Sequence, residues 1–560
     1  NCDGTIDEAT AVDARVFYED RDGDGFGAEG SGTVACFTPF EPFVEDKGGD
    51  CDDADPGVQD YTFYLDGDRD TFGDPETMFV GCEPPEEWPA ATANSQDCDD
   101  SQRLVNPDAD ELCGDGIDNN CGGSAPECAW PDTVPLKDGL FVEGNEGIPD
   151  LVGTSVSVGY IGGTSNPDLI IGAAGGQYAD REGVYGAVAI IPTPILNDVS
   201  IWDQRVVIEA NGWDELGSKV LSHDLNQDGY DDLVMTAPAT NTELYDKAGA
   251  MHILYGPITA GGLINDVADY TLRGTDVRLG LGLTLEVVGD IAGDRGSDLL
   301  LGSYFGDVAY LITESDMGVK DIDTASHAEI SGGYSMGLSL EMLGIDYNGD
   351  GLQDIAVTAP DLEGRGGVLF YDHGTEGFRN QEMADFTLYG EAGSQLGYGL
   401  VNAGDQDGDG IDDIIMSARS ASYGRIYVPW SSELDSIENA AFSPVIISND
   451  VAGRRLAVRL SMIGDVNLDG HSDLAAAEGD TAPADVVIFH GPFDEAMREK
   501  ASEAADARLV GSPTTDFQYD VMLRSKDITG NGQDNLLIGA PNSDAGAGVG
   551  VVYILDINTF

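Results

Sequence analysis

Beyond residue 139 the chain alternates short apolar runs with clusters of Gly, Pro and Asp. The pattern is plainest between Gly217 and Gly274. Val220-Leu221-Ser222-His223 leads into an acidic turn, Asp224 to Asp232, and then into Leu233-Val234-Met235-Thr236-Ala237-Pro238. The alternating run Ala250 to Gly256 and the run Tyr270 to Gly274 complete the unit. Runs this short, bounded by turn residues, predict four strands. Aligned on the first residue of the turn, the unit recurs at Tyr160, Asp224, Asp290, Asp346, Asp405, Asp465 and Asp527, at spacings of 56 to 66 residues. Seven such units predict an all-β fold, a seven-bladed β-propeller. Separate β-domains of about 60 residues would bury too little to stand alone. The last unit stops after its third strand, Val549 to Leu555, while 139–143 precedes the first unit as a spare strand. Residues 139–143 are expected to close the ring as the missing fourth strand, with Leu140 and Val142 on one face and Phe141 on the other.

The first 130 residues are built differently. All eight cysteines lie between Cys2 and Cys128, together with 34 acidic and only 5 basic residues in 1–130. The expected organisation is a stalk at 1–129, a linker at 130–138 and the propeller at 139–560. An even cysteine count in a small, loop-rich segment predicts disulfides and an oxidising, extracellular or cell-surface setting. The absence of any CxxC pair or His in this segment argues against zinc.

Two copies of one pattern follow each other here. Phe17-Tyr18 precedes Asp20, Asp22, Asp24, Gly25 and Gly27, then Cys36 and Cys51-Asp52-Asp53. Phe63-Tyr64 precedes Asp66, Asp68, Asp70 and Gly73, then Cys82 and Cys98-Asp99-Asp100. Alternate aspartates closed by glycine are the hard-oxygen, tight-turn chemistry of a calcium loop. Thr71 stands where the first copy has Gly25, which weakens the second turn. Cysteine spacings of 15 and 16 predict one bridge per copy, Cys36–Cys51 and Cys82–Cys98, with Cys113–Cys121 in a third element. The segment resembles the MopE-type metal-binding motif and, more loosely, thrombospondin type 3 repeats. The third element departs from that motif by an inserted Gly114, Asn120 for Asp and Gly122 for Asp.

In the propeller the turns follow Asp-x-Asp/Asn-x-Asp-Gly-x-x-Asp, with side chains at positions 1, 3, 5 and 9 and the carbonyl at position 7 as oxygen ligands for Ca²⁺. Four turns fit fully: Asp224, Asn226, Asp228, Asp232; Asp346, Asn348, Asp350, Asp354; Asp405, Asp407, Asp409, Asp413; and Asp465, Asn467, Asp469, Asp473. Their carbonyls come from Tyr230, Leu352, Ile411 and His471. The last turn offers Asp527, Thr529, Asn531 and Asn535, with the carbonyl of Gln533. Asp290, Asp294 and Asp298 are accompanied by Ala292 and Arg295, a poor match, and the turn from Tyr160 to Asp168 has lost nearly all ligands. About five calcium ions are therefore expected in the propeller, and further ions in the stalk. These turns and the Ala-Pro that follows them resemble FG-GAP repeats, the units of the integrin α-subunit propeller. The resemblance implies a calcium-bearing propeller used for adhesion or recognition.

A net charge of −77 excludes a general nucleic-acid or anionic-membrane binder. No run of 18 apolar residues is present, so no insertion into a membrane is expected. Gly333-Tyr334-Ser335-Met336-Gly337 matches GxSxG, but it opens a blade instead of joining a strand to a helix. The six histidines are scattered singly. The chain is expected not to be an enzyme, with a hydrolase the least favoured reading. The favoured one is a secreted or cell-surface calcium-binding structural or adhesive protein, a subunit of an extracellular appendage, surface layer or matrix. Its partners would be other protein subunits or surface glycans, with self-assembly open. The alternative, a lectin-like binding propeller, lacks a recurrent aromatic: Trp202, Trp213 and Trp430 share no register.

Overall fold

The computed structural model describes residues 14–35, 42–55, 60–69, 71–85, 88, 90–100, 105–107, 121–123, 134–135, 139–144, 150–164, 166–175, 185–204, 206–277, 279–293, 296–303, 307–313, 318–331, 342–419, 424–437, 439–448, 456–466, 471–478, 485–493, 500–501, 505–510, 521–525, 527–530, 534–541 and 549–556. Asn1–Cys128 is one compact unit and Ala129–Phe560 a second. Among the described residues no helix is long and apolar enough to cross a membrane.

The first unit holds β1 (Arg15–Glu19), β2 (Gly27–Ala28), β3 (Thr33–Ala35), β4 (Phe43–Glu45) and β5 (Gly48–Asp50) in its first copy. β1 lies between β3 and β4, while β2 pairs in parallel with β5. The second copy repeats the three-stranded sheet, with β6 (Tyr61–Leu65) between β7 (Met78–Gly81) and β8 (Ala91–Thr92). The Phe-Tyr…Gly spacing has a steric cause. A Cβ on Gly27 would meet the Cβ of Tyr18 at 2.5 Å, and one on Gly73 would meet that of Tyr64 at 2.7 Å. Among the described residues only Phe17, Phe72 and Val105 are buried apolar side chains in this unit. So small a core cannot hold a fold, and cross-links must.

Those cross-links are not the ones expected from spacing. Cys51 bonds Cys82 with Cα atoms 5.0 Å apart, and Cys98 bonds Cys121 at 5.7 Å. This overturns Cys36–Cys51, Cys82–Cys98 and Cys113–Cys121; Cys36 and Cys113 themselves lie outside the described residues. Nearness in sequence misleads because β3, which leads to Cys36, and β5, which leads to Cys51, belong to different sheets. The end of β5 instead lies beside the end of β7, so the bridge joins one copy to the next.

Among the described residues the second unit holds seven sheets with the same four antiparallel strands. Their first strands are Val152–Gly159, Val220–His223, Leu281–Val287, Met342–Ile345, Leu396–Gly404, Leu456–Gly464 and Val521–Ser525. Each of these strands touches the next, and the last touches the first, so the sheets close into a ring. The second strands are buried from end to end, as in Asp232–Ala237 and Asp354–Ala359, save for the half-buried Arg419 that ends the fifth. Apolar side chains gather in seven clusters, each between consecutive sheets. A sheet buried on both faces explains why these strands read as continuous apolar runs.

The ring is completed by the segment before the first sheet. β9 (Val134–Pro135) pairs in parallel with Ala507–Val510, the outer strand of the sixth sheet. β10 (Leu140–Glu143) pairs antiparallel with Val551–Asp556 in the register Leu140↔Ile554, Phe141↔Tyr553, Val142↔Val552 and Glu143↔Val551. Val142 is fully buried, and Leu140 packs with it among Val552 and Ile554. Part of the stretch read as a linker is thus strand. The same rule governs the other outer edges. Each but the fourth pairs in parallel with a short segment from the following blade, such as Tyr270–Arg273 with Gly318–Asp321 and Ala328–Ser331 with Gly377–Asn380, and the fourth is met by a single parallel bridge from Asn439 to Tyr389. Covering the edge in this way hides an otherwise open row of N–H and C=O groups.

Candidate metal centres

In the propeller each acidic turn joins a first strand to a second, and its last residue sits at the start of the buried second strand. The turn is wound by its own carboxylates. Asp346 Oδ1 accepts the N–H of Gly349 at 2.8 Å and Oδ2 that of Gly351 at 2.8 Å. Asn348 Oδ1 accepts from Asp350 at 3.0 Å, and Asp350 Oδ1 accepts from Leu352 at 2.8 Å. Asp405, Asp407 and Asp409 repeat this pattern with Gly408, Gly410 and Ile411. Asp224, Asn226 and Asp228 repeat it with Gly229 and Tyr230. Gly351 and Gly410 supply the left-handed residue at position 6, with φ of 85° and 90°.

Position 9 has a second task that the sequence pattern does not announce. Asp168, Asp232, Asp298, Asp354, Asp413, Asp473 and Asn535 are all at most 3 % exposed. Six of them accept a backbone N–H from the start of their own turn, among them Asp232 from Leu225 at 3.0 Å and Asp413 from Gln406 at 2.8 Å. Asp232, Asp413 and Asp473, and with them Asp354, accept from a residue two or three past the end of the third strand: Gly256, Ser431, Gly491 and His373. This explains why Asp168 and Asp298 persist in turns that lost other ligands: they staple the turn to the blade.

The donor set fits a hard divalent cation. Carboxylate oxygens of Asp405, Asp407 and Asp413 lie within 4.8 Å of one another. Asp354 Oδ2 is buried without a hydrogen bond, an orphan that a cation would satisfy. Burial pushes Asp354 up to about 6 despite the N–H of His373, and Asp372, Asp350 and Asp346 add to it. Burial likewise pushes Asp413 up to about 6 against the N–H groups of Ser431 and Gln406, with Asp407 and Asp409 adding. Both lie above the unfolded value of about 3.9. The metal-free fold therefore gains stability as pH falls from about 6 towards 4 and loses it as pH rises through 6. Cation binding to each turn needs its own carboxylate ionised, so affinity at each site should move the other way and drop about tenfold from pH 7 to pH 5. Calorimetric titration with calcium at the two pH values checks this; equal affinities would refute it.

The remaining turns are partly described. Asn467 and Asp469 lie outside the described residues, as do Asp294, Asn531 and Gln533. In the last turn Asp527 Oδ1 accepts from Gly530 at 2.6 Å. Asn535 donates to Asp556 Oδ1 at 2.5 Å, and Thr529 donates to the same oxygen at 3.3 Å. Asp556, at the end of the third strand, thus brings a carboxylate to a turn whose position 9 is neutral. The sequence pattern missed it because it lies 21 residues beyond Asn535. The Gly333–Gly337 motif lies outside the described residues. His252 is buried against Thr271 at 3.0 Å, and burial, with Arg273 adding, lowers it to about 4, so it stays neutral in the core.

The first unit contains the same turn. Asp20 accepts from Gly23 at 2.7 Å and Gly25 at 3.2 Å, Asp22 from Asp24 at 3.1 Å, and Asp24 from Phe26 at 2.7 Å. Carboxylate oxygens of Asp20, Asp22 and Asp24 lie within 4.8 Å of one another, as do those of Asp66, Asp68 and Asp100. Asp70 lies outside the described residues. Thr71 takes the place of Gly25 by adopting φ of 83° and donating to Asp66 Oδ2 at 3.3 Å. A β-branched residue in that region is strained by about 1–3 kcal/mol. Thr71→Gly should recover about 1 kcal/mol and slow amide exchange across 66–73 about fivefold. Unchanged exchange would show that the turn carries no such strain.

Comparison with known proteins agrees with this geometry. The family model for the FG-GAP repeat matches residues 216–254 and 342–371. The model described as "Putative metal-binding motif", of the copper-binding MopE type, matches 1–8 and 97–127. Integrin alpha-PS5 of Drosophila melanogaster is 33% identical over 163 residues, covering 28% of this chain and 16% of its own. Integrin alpha-4 of Xenopus laevis is 29% identical over 273 residues, covering 46% and 24%. Phosphatidylinositol-glycan-specific phospholipase D of Bos taurus is 32% identical over 147 residues, covering 25% and 17%. The matches thus span a quarter or less of these relatives. The solved structure titled "Structure of Dos1 propeller" covers 70% of this chain and 78% of its own at 11% identity and a TM-score of 0.36, too distant to inform the site. The chain carries FG-GAP repeats similar to those of integrin α-subunits, within a β-propeller preceded by a disulfide-bonded segment with a MopE-type metal-binding motif.

Proposed function

We propose that this chain is an extracellular or cell-surface calcium-binding protein with a structural or adhesive role, a subunit of an appendage, surface layer or matrix. The observation that carries this reading is the repetition of one all-oxygen turn around the ring, each anchored by a buried residue at position 9. Asp224, Asp346, Asp405, Asp465 and Asp527 would head about five calcium sites. Bound calcium supplies positive charge that holds the carboxylates of one turn together; the anchoring residue passes that rigidity to the second strand. Integrin-like relatives and disulfides support the extracellular setting. The test is solid-phase binding of the purified chain to copies of itself and to a glycan array, with calcium and with EDTA. Calcium-dependent binding to protein supports the structural or adhesive reading; binding confined to glycans overturns it.

One observation favours the lectin reading as second. Trp213 is 65 % exposed, and its ring lies 4.2 Å from that of Tyr185. An exposed tryptophan beside a half-buried tyrosine can stack on a sugar face, but among the described residues such a pair occurs in one blade and would give a single site.

A further inference from the structure

The turn at Asp20–Gly25 is not complete in itself. The propeller turns take a ninth residue from their own loop, whereas here the chain runs on through Phe26 into β2. β2 pairs with β5 in the register Gly27↔Gly48 and Ala28↔Asp50, and Glu29 donates to the carbonyl of Asp50 at 2.9 Å. That pairing returns Asp50 to the turn from which β2 emerged. Asp50 is 2 % exposed. Its Oδ1 accepts the N–H of Asp52 at 3.0 Å, while Oδ2 is buried with no hydrogen bond. Asp22 Oδ2 is likewise buried with no hydrogen bond. Asp53 reaches the turn as well: its Oδ1 accepts the N–H of Arg21 at 2.8 Å, and Oδ2 lies 3.6 Å from the guanidinium.

The β2–β5 register and the bond from the Arg21 N–H to Asp53 bring Asp50 and Asp53 to the turn of Asp20, Asp22 and Asp24. Two buried oxygens with no donor are costly, and like charges at this density repel unless a cation lies among them. We infer that the first copy holds a composite site in which Asp50 and Asp53 join Asp20, Asp22 and Asp24 as carboxylate ligands of a hard divalent cation, calcium by its all-oxygen donor set. The inference rests on the reading of the Asp20 turn as a cation loop and adds ligands from a second segment.

The second copy has the same construction. Gly67 donates to Asp100 Oδ1 at 2.7 Å, as Arg21 does to Asp53. Asp99 donates to Asp97 Oδ1 at 2.9 Å, as Asp52 does to Asp50. Asp97 is 3 % exposed. Because Asp50 adjoins Cys51, and Cys51 bonds Cys82 of the next copy, one ion ties a turn to the segment that carries the inter-copy bridge.

Hydrogen exchange of the full chain, read by mass spectrometry over 20–28 and 48–55, tests this. In 5 mM calcium, exchange in both segments of the wild type should slow about sixfold or more, the factor set by a dissociation constant of 10⁻³ M or tighter. Asp50→Asn and Asp53→Asn should abolish the calcium effect in 20–28, as Asp22→Asn and Asp24→Asn should. All should leave the calcium effect in 66–73 in place. Asp46→Asn, an exposed residue outside the cluster, should change neither segment. Calcium-free exchange of β1 that matches wild type shows that the fold is kept; if Asp50→Asn fails there, Asp53→Asn decides by the same criterion. Full calcium protection of 20–28 in the Asp50 and Asp53 variants, with loss in the Asp22 and Asp24 variants, would overturn the composite site and leave the turn reading standing. Protection surviving in all four variants, or absent in the wild type, would overturn both.

Discussion

Chelation by EDTA is expected to destabilise the propeller by several kcal/mol. At millimolar free calcium and dissociation constants of 10⁻⁵ to 10⁻³ M, each site adds roughly 0.4 to 2.7 kcal/mol. Five such sites together rival the whole net stability of about 5–15 kcal/mol for a folded domain. The structure says where the loss falls. Without a cation, Asp354 and Asp413 remain buried carboxylates at the head of buried strands, and hydrogen bonds alone hold their turns, among them those from His373 and Ser431. Two substitutions separate the tasks of the turn. Asp350→Asn, at an exposed ligand position, should lower the melting temperature in calcium and change little in EDTA. Asp168→Ala removes the acceptor for Gly162 in a turn without the ligand set, so its cost should be the same with and without calcium. Differential scanning calorimetry of the three proteins checks this. An EDTA-treated wild type melting at the untreated temperature would rule out calcium as the support of the turns.

Removal of 139–143 should open the ring. Val142 is fully buried and Leu140 partly so in the cluster between the last sheet and the first. Losing their burial alone costs about 1.5–3 kcal/mol for the valine and less for the leucine. The deletion also strips Val551–Asp556 of its partner and releases Val199–Ser200, which pairs with the other side of β10. An unpaired edge at the junction of first and last sheets invites pairing with a second molecule. The expected result is a melting temperature several degrees lower, with dimers or larger species on size exclusion. Deleting 242–245, in an exposed loop between strands of the second sheet, is the control and should do neither. A monomeric deletion variant melting with the wild type would show that the ring is held by sheet packing alone.

Much of the fold was readable from the chain because its determinants are local. Strand period, turn chemistry and repeat spacing all lie within some 60 residues of one another, so Asp224-Leu225-Asn226 and its copies announce the turn, and the apolar runs announce the buried second strands. The spare strand at 139–143 was readable by counting, since a ring of equal sheets leaves one strand short at the end. Side chains that serve a turn from its own nine residues were readable for the same reason.

What the sequence could not decide is which distant segments become neighbours. Cysteine spacing pointed to bridges within a copy, but β3 and β5 enter different sheets and the bond forms between copies. Asp50, Asp53 and Asp556 reach their turns only through strand pairing, at separations that no local pattern encodes. Thr71 looked like a break in the second turn, yet the surrounding structure holds it at φ of 83°. By itself the sequence determined the turn geometry, the seven-fold repeat and the division into an acidic, cysteine-rich part and a cysteine-free ring. The tertiary structure alone decided the disulfide partners, the covering of each outer edge by the next blade and the carboxylates brought from afar, because those depend on long-range strand pairing, and pairing is set by the packing of whole sheets.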